Sequence, residues 1–215
     1  MTMKLTHIDI TFDLETCSLD PHAAVIQIAA LPWVRGSKTL TDLFPDELPT
    51  FESKVDLRSC VMDGFDFDRN TIQWWSGQQK ELRDNLADGD CYPIDEVFRE
   101  FCVWIADIKG LTKAETVSLW AQGADFDIAI LRHVCNKYDI PLPVSHQDFR
   151  DARSFILELV AINNGYASVP ADTEKLYECL PPLPQEAVAD GQPHNAFYDA
   201  LRTSWNVNTC LSYIS

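Results

Sequence analysis

The sequence is poor in positive charge: 17 Lys and Arg stand against 33 Asp and Glu, a formal net charge of −16. That balance argues against holding nucleic acid by counterion release from a basic surface. It leaves room for a protein that recruits divalent cations, which then hold an anionic substrate. The plainer alternative is an acidic surface that only keeps the protein soluble. Long apolar runs are also missing. No stretch of about 18 apolar residues occurs, so no membrane-spanning helix and no membrane partner are expected. The opening MTMKLTHIDIT lacks an apolar core with a small-residue cleavage site, so export through a signal peptide is not expected. Paired cysteines are absent as a pattern. The seven cysteines are scattered with no CxxC, which speaks against a zinc site or an oxidised framework and for reduced thiols in the cytoplasm.

The remaining composition, 46% hydrophobic and 23% charged over 215 residues, suits one folded domain spanning 1–215. Residues 4–14 alternate and are rich in β-branched side chains, so they predict a strand, followed by strands at 24–31 and 40–44 in an antiparallel meander. Residues 71–86 predict a helix broken near Ser76-Gly77. Pro93 opens another, whose Ile94, Val97, Phe98, Phe101, Ile105 and Ile108 fall at spacings of three and four; Lys109-Gly110 closes it. A buried strand is predicted at 116–121 and a helix from Asp125 to the Pro141/Pro143 pair. A short strand at 144–152, a helix at 153–162, mostly loop at 163–192 and a last helix from about Pro193 complete the chain. The result is an α/β fold with a mixed sheet.

Three segments carry chemistry. In TFDLET, Asp13 and Glu15 lie two apart on a strand and project to one face. Their Cα atoms are about 7 Å apart, so the two carboxylates repel unless a cation joins them or one is protonated. Two solvated acids at a strand end is the simpler reading of this piece alone. In GADFD a strand ends and a helix begins, the edge where sites gather in α/β sheets. Asp125 has a structural role available as an N-cap, and Asp127 as a first-turn acid favoured by the helix dipole. In HNAFYDAL, a fully helical register would leave His194 and Asp199 roughly 140° apart. They can share a pocket only if His194 stands in the loop before the helix. A neutral histidine beside a metal-bound water suits a general base at neutral pH.

Taken in order, FDLET, GADFDIAIL and HNAFYDAL resemble the three exonuclease motifs of the DEDDh 3′–5′ exonucleases, the family of polymerase proofreading subunits, oligoribonuclease and RNase T. The resemblance covers roughly residues 7–210. TIQWWSGQ, at 71–78, resembles the Trp-Trp segment of a branch of small stand-alone phage and bacterial exonucleases. The resemblance implies a ribonuclease H-like fold, a central mixed five-stranded sheet flanked by helices. It implies hydrolysis of RNA or DNA from the 3′ end to nucleoside 5′-monophosphates, with two Mg²⁺ or Mn²⁺ ions clamping the scissile phosphate. Asp13, Glu15, Asp127 and Asp199 correspond to the metal ligands and His194 to the general base. Leu14 and Thr16 are expected at the terminal ribose. Trp74 and Trp75 are candidates to stack on a terminal base, against packing of one of them in the core; Trp75 and Gln78 are assigned to substrate binding. Arg153 and Lys54 are candidates to guide the strand. The family usually has asparagine where this chain has Gly123. Expected partners are nucleic-acid 3′ ends, with a homodimer left open. A non-catalytic nucleic-acid-binding module on the same fold and a two-metal endonuclease are the alternatives.

Overall fold

A computed structural model describes residues 5–187 and 193–214. Six strands form one mixed sheet in the order β4-β3-β2-β1-β5-β6. Their ranges are β1 His7–Thr16, β2 Val25–Trp33, β3 Phe51–Val55, β4 Cys91–Tyr92, β5 Thr116–Ala121 and β6 Phe149–Asp151. β1, β2 and β3 are an antiparallel meander; β5 runs parallel to β1, and β6 parallel to β5. The six strands, against the five expected, include a two-residue edge, β4, too short to show any alternation.

Two local readings are corrected. Residues 40–43 are not a strand but a short helix, α1 (Leu40–Leu43), because the Thr39 side chain accepts from the Asp42 N–H and caps its start. The third strand is Phe51–Val55, where Ser53 interrupts the apolar face that Phe51 and Val55 share. The helix from Pro93 runs through Gly110 to Thr112 as α5 (Ile94–Thr112) and stops at Lys113, which takes the left-handed conformation at φ +52°. The exposed glycine is tolerated because burial of eight apolar side chains along that helix outweighs its poor helix propensity. Helix α2 (Leu57–Met62) is capped by Asp56, whose side chain accepts from the Arg58 N–H. The segment 71–86 is two helices, α3 (Arg69–Ser76) and α4 (Lys80–Ala87), parted at Gly77. Then follow α6 (Asp127–Lys137), α7 (Ala152–Asn163), α8 (Glu174–Glu178) and α9 (Ala196–Leu211). The predicted loop at 163–192 thus contains a five-residue helix, and its residues 188–192 lie outside those described.

The main core lies on one face of the sheet, where Ile8, Ile10, Phe12 and Leu14 of β1 meet α5 and α6. On the other face α9 packs across β1 and β2, and α7 packs against α9. The alternate residues of β1, Asp9, Thr11, Asp13 and Glu15, therefore face the α9 side. No helix of the described residues is long and apolar enough to cross a membrane, and all seven cysteines are free thiols.

Candidate active site

β1 and α9 bring together acids 184 to 186 residues apart in the chain. One carboxylate oxygen each from Asp13, Glu15 and Asp199 lie within 4.8 Å of one another. The fourth acid, Asp127, is the first residue of α6 and is buried. It is near enough that its charge acts on both Asp13 and Glu15. Asp125 is exposed and makes no cap bond, so of the two acids in GADFD only Asp127 turns inward.

Burial first, and then the charges of Asp127, Glu15 and Asp199, push the Asp13 carboxyl well above the ordinary carboxylate range. Burial with the charges of Asp199 and Asp127 raises Glu15 to about 8. Burial raises Asp127 to about 7, against backbone hydrogen bonding at Leu14 and at Asp127 itself and the charge of Arg153. Asp199 is raised by burial, with Arg202 and His194 opposing. Asp127 Oδ1 and Asp199 Oδ1 are buried without a hydrogen-bond partner. Arg202 Nη2 approaches Asp199 Oδ1 to 3.0 Å, an ion pair lacking hydrogen-bond alignment. Unsatisfied carboxylate oxygens in a buried cluster of four acids are costly. Hard divalent cations bind such oxygens, so this donor set fits Mg²⁺ or Mn²⁺.

His194 is not helical. It stands at φ +67°, and its backbone N–H donates to Asp199 Oδ2 at 2.8 Å. Asn195 caps α9 by accepting from the Tyr198 N–H at 3.2 Å. The exposed imidazole meets the Trp74 ring edge-on, with centroids 4.7 Å apart. A residue not singled out from the sequence fixes this corner. Gln27, fully buried and paired with Glu15 across β1 and β2, accepts from the Ala196 N–H at 3.2 Å. Its own side-chain N–H donates to Glu52 at 2.8 Å. The start of α9 is thereby tied to the sheet beside Glu15.

Beside the acids lies a cleft of 580 Å³ walled by Leu14, Thr16, Leu19, Trp74, Trp75 and Phe126 among others. The Thr16 hydroxyl donates to the Ser18 carbonyl at 2.6 Å, which leaves its oxygen able to accept. Trp75 donates its indole N–H to the Thr16 carbonyl at 2.8 Å, fastening α3 to the end of β1. Gln78 is not among the lining residues; its side chain donates to Trp74 O at 3.3 Å. Lys54 is engaged by the backbone, donating to the carbonyls of Asn85 and Asp88. Arg153 sits by the second motif: a Cβ on Gly123 would lie 3.9 Å from its Nη2.

This ordering of acids and histidine on a mixed sheet defines a class, the DEDDh-type 3′–5′ exonuclease domain. The chain belongs to the Rv2179c-like 3′–5′ exoribonuclease domain family, whose model matches residues 8–211. It is 29% identical over 138 residues to an exodeoxyribonuclease of Enterobacteria phage T4, covering 57% of this chain and 53% of the relative. The chain thus spans about half the length of the curated relative it matches. Among solved structures it resembles the nuclease domain of 3′hExo, a DEDDh family member bound to rAMP. The TM-score is 0.55 at 16% identity, over 95% of this chain and 92% of the other, a likeness of fold.

Proposed function

We propose that this chain, as one domain over 1–215, is a metal-dependent 3′–5′ exonuclease. It hydrolyses phosphodiester bonds from the 3′ end of RNA or DNA and releases nucleoside 5′-monophosphates. The observation that carries this reading is the meeting of Asp13, Glu15 and Asp199, from two distant segments, with oxygens within 4.8 Å. Asp13, Glu15, Asp127 and Asp199 would hold two Mg²⁺ or Mn²⁺ ions. When bound, these supply the positive charge that draws in the scissile phosphate and acidifies a water molecule. The His194 imidazole accepts the proton of the attacking water. Its tie to Asp199 supports that role, since it keeps the base beside the acid cluster. The Leu14 backbone and the Thr16 oxygen receive the terminal ribose, and a free 3′-hydroxyl is what an internal nucleotide lacks. The Leu19 and Phe126 side chains offer apolar walls to the terminal base, and the Trp75 bond to Thr16 fastens α3 beside them. Gln78 acts on substrate only through the end of α3. Nucleic-acid 3′ ends are the partner, and a cytoplasmic site of action suits the free thiols.

The test is a panel of 5′-labelled RNA and DNA oligonucleotides, single- and double-stranded, with Mg²⁺, Mn²⁺ or EDTA. A ladder shortening from the 3′ end, abolished by EDTA and by a 3′-phosphate, is expected. Cleavage of the 3′-blocked strand would identify an endonuclease, and binding without cleavage a non-catalytic module.

A further inference from the structure

The proposed base is held from two sides, and only one of them is the acid cluster. Its backbone is tied to Asp199, but that bond fixes the peptide and leaves the imidazole free to turn about its side-chain torsions. Among the described residues no hydrogen bond reaches the imidazole. What meets it is Trp74, 120 residues away in the chain, at 4.7 Å and 85°. Trp74 in turn meets Trp75 at 4.9 Å and 75°, and Trp75 is bonded to the Thr16 carbonyl, next to Glu15. An aromatic chain thus runs from the strand that carries the first two acids, along two residues of the cleft wall, to the histidine.

We propose that Trp74 is a positioning residue that holds the His194 imidazole in its working orientation. This rests on the reading of His194 as the general base. A stacking platform for a nucleobase presents a free π face. Trp74, 44% exposed on the cleft wall, already meets two rings set nearly perpendicular to it, Trp75 and His194. Edge-to-face contacts at these distances favour one orientation of each ring. α3, none of whose side chains is fully buried, is anchored at Thr16 through Trp75, so the place of Trp74 is set from β1. Proton transfer requires the imidazole within hydrogen-bond reach of the water it deprotonates, so an unheld ring lowers turnover more than it lowers binding.

A double-mutant cycle tests this, with steady-state cleavage of a 5′-labelled single strand in saturating Mg²⁺. His194→Ala is expected to lower kcat by about 10²–10⁴-fold. Trp74→Ala is expected to lower kcat by about tenfold with KM within about threefold of wild type. Trp74→Phe, which restores an edge-to-face partner, should hold kcat within about threefold. The double substitution Trp74→Ala/His194→Ala should be no slower than His194→Ala alone. Trp74 is 44% exposed, so its loss leaves the core intact; an unchanged Mn²⁺-induced thermal shift would verify this, and Trp74→Phe carries the test if Trp74→Ala fails it. A raised KM with unchanged kcat, or a Trp74→Ala loss that persists in full without His194, would overturn the proposal while leaving the base in place. A His194→Ala enzyme with near wild-type kcat would instead remove the base reading itself, and the role of Trp74 with it.

Discussion

Two ends of the same strand face treat buried acids in opposite ways. At the start of β1, Asp9 is fully buried and fully answered. Arg35 Nε and Nη2 donate to it at 2.7 and 2.6 Å, the Trp120 indole N–H at 2.7 Å, and the His7 imidazole lies at 3.2 Å. Burial alone would raise its carboxyl. The hydrogen bonds from His7, Arg35 and Trp120, with the Arg35 charge, outweigh burial and hold it below the ordinary range. Four residues further on, Asp13 and Glu15 face two more acids, and no guanidinium forms a hydrogen bond to either. Their carboxyls are pushed up, and one oxygen each of the neighbouring Asp127 and Asp199 has no hydrogen-bond partner. One end is a structural network that the protein completes by itself. The other is left short of positive charge, as a site that binds cations must be.

The sharpest way to break this contrast is to alter one acid at each end. Asp13→Asn should lower cleavage by at least about 10³-fold. It should leave folding intact or, in EDTA, slightly strengthen it, since a repelling charge is removed. Arg35→Ala should do the reverse. With Asp9 left short of its main partner, chemical denaturation should show a loss of about 2–3 kcal/mol, while cleavage per folded molecule is unchanged. Equal effects of the two substitutions on stability and activity would erase the distinction.

A smaller effect should appear in pH dependence. Because the acids of the site have raised carboxyls in the folded state, that state holds protons the unfolded chain has released. Their contribution to stability is full below about pH 4 and is lost as pH rises toward the values of about 7 for Asp127 and about 8 for Glu15. Thermal melts in EDTA should therefore show the melting temperature falling through that window. Addition of Mn²⁺ should raise it most at the high-pH end, where the ligands are ionised. Asp9, with its lowered carboxyl, contributes the opposite slope only below about pH 4.

Much of the site was legible because the strand period is strict. Asp13 and Glu15 must share a face, and Gly123 followed by an apolar periodic run marks a strand-to-helix edge, but the choice of Asp127 over Asp125 rests on the family resemblance. His194 was readable only as a condition, that it leave the helix. The structure meets that condition because Asn195 caps α9 one residue later. The contacts that finish the site were not legible. Gln27 bonds to Ala196 across 169 residues, and Trp74 meets His194 across 120. Neither has a local signature. Among the elements, β5 is found at its predicted residues because a short apolar run bounded by Gly123 leaves little choice. The strand expected at 40–44 failed because a capping threonine outweighs a brief apolar run, and β3 escaped because Ser53 leaves only Phe51 and Val55 to mark its apolar face.

The most direct test of the cation-binding end of β1 is calorimetric titration of the metal-free protein with Mn²⁺ at pH 8, in wild type and Asp13→Asn. Saturable binding is expected, weakening by at least about 100-fold on that single substitution. Heat-silent wild-type protein, or equal binding by the two, would contradict it.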